Sequence, residues 1–195
     1  MCSWTQSSYV KYGEKSLSRT GNYMQPNAPE LLNLEVIKGD RNGLQELNSI
    51  MISRSTAEAF FGEEDAVGKV LKIGNQHDLM VTAVYDDIPY GNTFNDTDFI
   101  IPWDFYVSNQ EWIKNSLDNW QNNSFQMFVQ IKDNTSFETV TNAIIDDKKN
   151  ADEEVVQYNP RIFLLPMEDW YLRSNFEDGV QKGGRIKYVW LFGNL

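Results

Sequence analysis

The feature that most narrows what this chain can fold into is a run of local signals between residues 49 and 85. Ile50-Met51-Ile52 reads as a short buried strand. Ser55-x-x-Glu58 follows as a capping box that would satisfy free amides at a helix start. The helix carries Ala57, Phe60 and Phe61 and stops at Gly62, a residue suited to the position past a helix end. Val70 to Ile73, a Gly74-Asn75-Gln76 turn and a second apolar run to Tyr85 then read as a hairpin, which Pro89 and Gly91 end. Strand, helix, stop and hairpin in that order commit this part of the chain to a mixed α and β architecture.

The flanks are less sharply patterned. Trp4 to Lys11 and Lys15 to Arg19, on either side of Gly13, read as two strands around a turn. Phe94, Phe99, Ile100 and Ile101 predict a strand after a polar loop, and Trp112, Leu117 and Trp120 occupy a moderately helical stretch. Phe125, Met127, Val129 and Ile131 alternate with other residues at period two and predict a further strand. Thr135-x-x-Glu138 is a second capping box. Phe137, Val140 and Ile144 share one stripe of the helix it would open, with Lys148 and Lys149 near its negative end. Residues 162–165 are expected to close a strand-helix-strand unit.

Composition limits the functions open to such a chain. Hydrophobic residues at 41% and six tryptophans provide enough apolar surface to offset the entropy of ordering, so a folded core is expected. With 28 acidic against 17 basic residues, the formal charge of -11 repels nucleic acid and anionic headgroups. Cys2 is the single cysteine, so no internal disulfide is available; this permits export without demonstrating it. No run of about 20 apolar residues spans a bilayer. The end of the chain nevertheless changes character: Gly183-Gly184-Arg185-Ile186-Lys187 places two cations ahead of Tyr188, Trp190 and further apolar residues. That order suits an interfacial belt at the root of a membrane helix, and it equally suits a last strand or short helix.

Catalytic patterns are sparse. His77 is the sole histidine and sits in a Gly-Asn-Gln-His-Asp turn, where an exposed turn residue is the simplest reading. One histidine and one cysteine cannot supply a zinc site of recognisable spacing. Asp86 with Asp87, and Asp96 with Asp98, could present oxygen ligands to calcium, but the spaced acids and glycine of a helical calcium loop are missing, so solvated loop acids are expected. The stretch from Gly62 to Lys69 looks superficially like a phosphate loop, yet Val70 stands where a hydroxyl should hold magnesium and three acids would repel phosphate. No cofactor and no enzymatic activity are expected.

Several motifs together resemble the periplasmic core of MacB/FtsX-type permeases. Ser49-Ile50-Met51-Ile52-Ser53 leads to Ala57-x-x-x-Phe61-Gly62, and Glu64-Asp65-Ala66-Val67-Gly68-Lys69-Val70-Leu71-Lys72-Ile73 resembles the family's E-D-P-I-G-K-x-L-x-I, with Ala66 in place of proline. Val81-Thr82-Ala83-Val84, Asp87-Ile88-Pro89 and Phe94 resemble V-T-G-V, D-I-P and F, with Ala83 in place of glycine. Pro166-Met167-Glu168-Asp169-Trp170-Tyr171-Leu172 and the stretch from Gly184 to Phe192 are similar to the segment entering the second transmembrane helix.

The resemblance implies an α+β, two-lobed domain. Residues 1–30 and 96–185 would form a membrane-proximal, porter-like strand-helix-strand lobe. Residues 31–95 would form a smaller distal α/β lobe, and residues 186–195 the root of a truncated transmembrane helix. It further implies an extracytoplasmic domain of an inner-membrane protein that works with a cytoplasmic ABC ATPase and an unknown exported substrate or periplasmic partner. A homodimer of the full-length protein is compatible with it. Contact residues do not carry over. For a partner surface, the polar-aromatic segment with Trp103, Tyr106, Trp112 and Trp120 is the candidate, against the alternative that these rings pack in the core. The rival function is a stand-alone extracytoplasmic module sensing a peptide or lipid, which predicts a preformed apolar pocket and a folded C-terminus.

Overall fold

A computed structural model describes residues 1–170, 172–177 and 180–187. They form two compact units, Met1–Val129 and Gln130–Leu195.

The first unit is built on a mixed sheet that closes on itself. A long hairpin, β1 (Cys2–Tyr12) and β2 (Lys15–Met24), turns at Gly13-Glu14, with Tyr12 opposite Lys15. After a short helix α1 (Ala28–Leu31) come β3 (Val36–Gly39), β4 (Ser49–Ser53), helix α2 (Arg54–Phe61), β5 (Val70–Ile73), β6 (His77–Tyr85) and β7 (Phe99–Pro102). Strand β2 runs parallel to β7, β7 antiparallel to β4, β4 parallel to β6, β6 antiparallel to β5, and β5 antiparallel to β1. Since β1 also pairs with β2, these six strands make a ring; β3 is added on β6 and the two-residue β8 (Gln126–Met127) on β1. Closing a sheet removes most of the free edges that an open one would present.

Ring strands that are covered on both faces read as continuous apolar runs. All five residues of β4 and all four of β7 are buried. Val10, Ile50, Ile52, Leu71, Leu79, Val81, Phe99 and Ile101 belong to one hydrophobic cluster with Phe60 and Phe61 of α2 and Trp103, Phe105 and Tyr106 of α3 (Trp103–Asn109). A second helical turn, α4 (Glu111–Lys114), contributes Ile113 to the same cluster. On the other side, Met51, Ala83, Tyr85 and Ile100 are also fully buried. Tyr85 donates its hydroxyl to the Thr97 carbonyl at 2.8 Å, the partner a buried phenol requires.

The strand, helix and hairpin predicted over residues 49–85 are present, but the helix starts earlier than its capping box implies. Ser53 is the N-cap and accepts the Thr56 amide at 3.3 Å, whereas Ser55 lies inside the first turn. Its amide and hydroxyl both donate to Asp87, at 3.1 and 2.9 Å. A carboxylate 32 residues away thus takes the amide that a local Glu58 was expected to serve. Ser53→Ala is expected to cost about 1 kcal/mol and lower the melting midpoint by about 3 °C in a thermal unfolding scan. The second box is likewise displaced by one residue: Ser136 caps α5 (Phe137–Ile144) and accepts the Thr139 amide at 3.1 Å.

Other expectations are corrected. The predicted strand at residues 125–131 is reduced to Gln126 and Met127 on Cys2 and Ser3. Met127 and Val129 are exposed and Phe128 is buried against Phe94, because both phases of that alternation carry apolar residues and packing selects the other one. Residues 162–165 form no strand in the second unit. The Ile162 amide donates to the Ile145 carbonyl and the Leu164 amide to the Thr141 hydroxyl, so α5 takes the donors a strand partner would have used. Lys148 and Lys149 belong to a separate short helix, α6 (Asp147–Ala151), where Lys149 pairs with Asp146. A small hairpin, β9 (Asn175–Glu177) with β10 (Val180–Gly183), completes the described part of this unit.

Ring strands come from residues 2–24, 49–85 and 99–102. Near the end, the Ile186 amide donates to the Leu172 carbonyl at 2.9 Å. The predicted membrane root from Tyr188 onward lies outside the described residues. Among the described residues no helix is long and apolar enough to cross a membrane.

Candidate functional site

Three of the four aromatic residues proposed as a partner surface come together, largely below it. Trp103 and Tyr106 stand three positions apart on α3, on the face turned to the ring, and each is only 5% exposed. Tyr106 stacks on Tyr23 of β2 with centroids 4.1 Å apart and lies 6.5 Å from Trp4 of β1. Phe125 fills the space between Trp103 (5.1 Å, edge-on) and Trp112 (5.7 Å, stacked), and Trp4 meets Trp112 edge-on at 6.1 Å. Offset and edge-on rings at these separations attract beyond the area they bury. Trp112, on α4, keeps 43% of its surface exposed and is the most exposed ring of the cluster, with Trp4 and Phe125 half-buried. Trp120, also partly exposed, stands in the turns after α4 and is not one of the cluster's rings among the described residues.

Sequence reasoning missed the roles of Trp4, Tyr23 and Phe125, which link two distant strands to α3 and α4. No local signal announces that linkage, although Trp4 is in step with the inward-facing Val10 of the same strand. Burial and the adjacent Tyr106 push the Tyr23 hydroxyl up to about 12. Burial also raises Tyr106. Both phenols are therefore neutral at physiological pH, which suits packing and not proton transfer.

Three of the four acids considered for calcium are committed elsewhere. Asp86 pairs with Arg54 at 3.0 Å, Asp87 holds the first turn of α2, and Asp98 accepts the Thr20 amide at 3.0 Å. Among the described residues no group of three or more histidine, cysteine or acidic side chains is placed to hold a metal ion. His77 is not an exposed turn residue: it begins β6, half-buried, edge-on to Phe105 at 5.1 Å. The phosphate-like loop after α2 is tied down by its own backbone. The Gly68 amide donates to the Val81 carbonyl, the Val81 amide to Lys69, and Asp65 accepts the Val67 amide.

Asp98 provides a pH test. Burial, reinforced by the carboxylates of Asp87 and Asp96, holds its carboxyl above the usual range, against the opposing Thr20 amide and Arg19. A carboxyl with a raised folded pKa stabilises the fold when protonated, and that contribution is lost as pH rises through the folded value. Asp98→Asn keeps an acceptor for the Thr20 amide and cannot ionise. It is expected to melt higher than the parent at pH 7, with the gap closing toward about pH 3 as the parent's Asp98 is protonated; paired thermal melts at the two pH values would show it.

The family described as MacB-like periplasmic core domain matches residues 2–147. Among solved structures, a domain assigned to a permease protein from Porphyromonas gingivalis is similar with a TM-score of 0.64 at 21% identity, over 83% of this chain and 69% of that one. The periplasmic region of MacB from Actinobacillus actinomycetemcomitans is similar with a TM-score of 0.53 at 16% identity, over 76% of this chain and 65% of that one. No functionally curated protein matches the chain. The two structural likenesses are likenesses of the mixed α/β fold, while the family match covers well over half of the chain and takes in the whole ring of strands. The chain thus belongs to the family of MacB-like periplasmic core domains, found in ABC-transporter permeases.

Proposed function

We propose that this chain is the extracytoplasmic domain of an ABC-transporter permease, and that it passes movements driven by a cytoplasmic ATPase to a substrate or partner outside the membrane without catalysing a reaction. The family match over residues 2–147 is the observation that carries this reading. The use to which the motif residues are put supports it. Ser53 and Asp87 hold the start of α2, Gly68 and Lys69 dock on β6, and Asp65 closes its own turn. These groups are spent on holding local structure, as a force-transmitting body requires.

The rival, a stand-alone sensor of a peptide or lipid, calls for a preformed apolar pocket. A cleft of about 770 Å³ in the first unit is lined mainly by polar side chains, among them Gln25, Asn27, Glu30, Arg41 and Asp104, with Pro26 the apolar one, and so offers an acyl chain little apolar wall. The test is purification of the full-length protein from detergent-solubilised membranes. An ABC-type ATPase subunit is expected to copurify in stoichiometric amount, and its complete absence would overturn the reading.

A further inference from the structure

Along one stretch of β1 the ring of strands leaves an edge uncovered among the described residues. Hydrogen-bonding groups on a strand alternate between its two edges. In β1 the outward set is odd-numbered: Met1 accepts from the Phe128 amide and Tyr9 from the Gly74 amide, while the even-numbered residues face β2 across the two-residue turn. On the outer edge β8 covers Cys2 and Ser3, and β5 covers Val10 and Lys11. Between them the N–H and C=O of Thr5 and Ser7 have no strand partner among the described residues, and Thr5, Gln6 and Ser7 are exposed. The notch from Ser3 to Tyr9 is about 20 Å long at roughly 3.3 Å per residue.

Exposed edges are ordinarily protected by charge, proline or a bulge. The edge of β3 has two of these, a register shift between Val36 and Lys38 and the exposed Lys38 itself. Over the notch β1 has none: residues 2–10 contain no charge and no proline, and its register with β2 is unbroken. β8 and β5 wall the two ends, so a second copy of β1 cannot lie along the edge in register. What fits is a short extended stretch. Charge adds a preference. Lys11, at the β5 end, lies opposite Lys72, which is neutralised by Asp78 at 2.6 Å, whereas Lys11 has no ion-pair partner among the described residues.

We infer that this notch binds a short extended peptide of a partner protein by strand addition, with the peptide's backbone paired to Thr5 and Ser7 and a carboxylate directed at Lys11. This surface does not depend on the transport reading, and its test is made on the isolated 195-residue chain.

Amide hydrogen exchange by NMR gives the first check: the Thr5 and Ser7 amides should exchange at least tenfold faster than those of Gln6 and Ser8. Equal protection at all four would mean the edge is already covered and would overturn the inference. Titration with acetyl-Thr-Val-Thr-Val-Glu-amide to about 10 mM should then give saturable shifts centred on Thr5 and Ser7 and slow their exchange. Of two versions N-methylated at alternate residues, one should lose binding, because only one peptide edge can face the notch. Absence of shifts, or equal binding by both methylated versions, would refute the pairing. Ser7→Pro removes an outward N–H without breaking a bond to β2, and it should abolish binding while the fold is retained by circular dichroism. Ser8→Pro should instead disrupt the fold. Lys11→Glu should weaken the Glu-ended peptide by about threefold at low salt and favour its Lys-ended counterpart, as an exposed charge pair would; no change in either would remove the assigned carboxylate.

Discussion

Phe99→Ala is expected to destabilise the chain by about 3 to 5 kcal/mol, among the largest single losses available in this core. Phe99 is 1% exposed at the start of β7, and its register partner on β2 is Gly21. The ring lies over that glycine so closely that a Cβ placed there would sit 2.1 to 2.4 Å from three of its atoms. The two residues therefore behave as one packing unit joining β2 to β7. Gly21→Ala alone forces the ring aside and should cost about 1 to 3 kcal/mol. In a Phe99→Ala background the same change meets vacated space and should cost almost nothing. Urea unfolding of the four proteins gives the coupling directly; strict additivity of the two changes would contradict this packing.

Gly39→Ala is expected to cost about 3 kcal/mol, for a different reason. Gly39 ends β3 with φ of +82°, and a Cβ there would lie 2.2 Å from the Thr82 carbonyl oxygen and 2.7 Å from the Ala83 Cα. Backbone cannot rotate away as a side chain can, so strain and overlap add. Gly13→Ala separates the two contributions. Gly13 also has positive φ, +56°, but open space surrounds its missing Cβ. It should lose only about 1 to 2 kcal/mol. Equal losses at both positions would show that the approach of β3 to β6 is looser than described.

Much of the region from residue 49 to 85 could be read directly, because its strand, helix stop and hairpin are each encoded within a few residues. The capping residues could not be placed with the same certainty. Ser53 and Ser55 are both competent caps, and the choice falls to Ser53 because Asp87, brought in by β6, already serves Ser55. The alternation at residues 125–131 is ambiguous on its face, since Phe128 competes with Met127 and Val129 for the interior. The aromatic residues were visible as a group along the sequence, but not their sorting into buried Trp103 and Tyr106 and half-exposed Trp112, which depends on Trp4 and Tyr23 arriving from the first hairpin.

By itself, then, the sequence determined the family and the local order of strand, helix and hairpin, because motifs and short-range periodicity are written in neighbouring residues. Only the tertiary structure decided that β2 lies on β7 and β1 on β5, closing the ring and leaving Thr5 and Ser7 on an uncovered edge between β8 and β5. Those pairings join residues about 60 to 80 positions apart. They are selected by how the buried faces fit across the ring, and no stretch of the chain carries that fit alone.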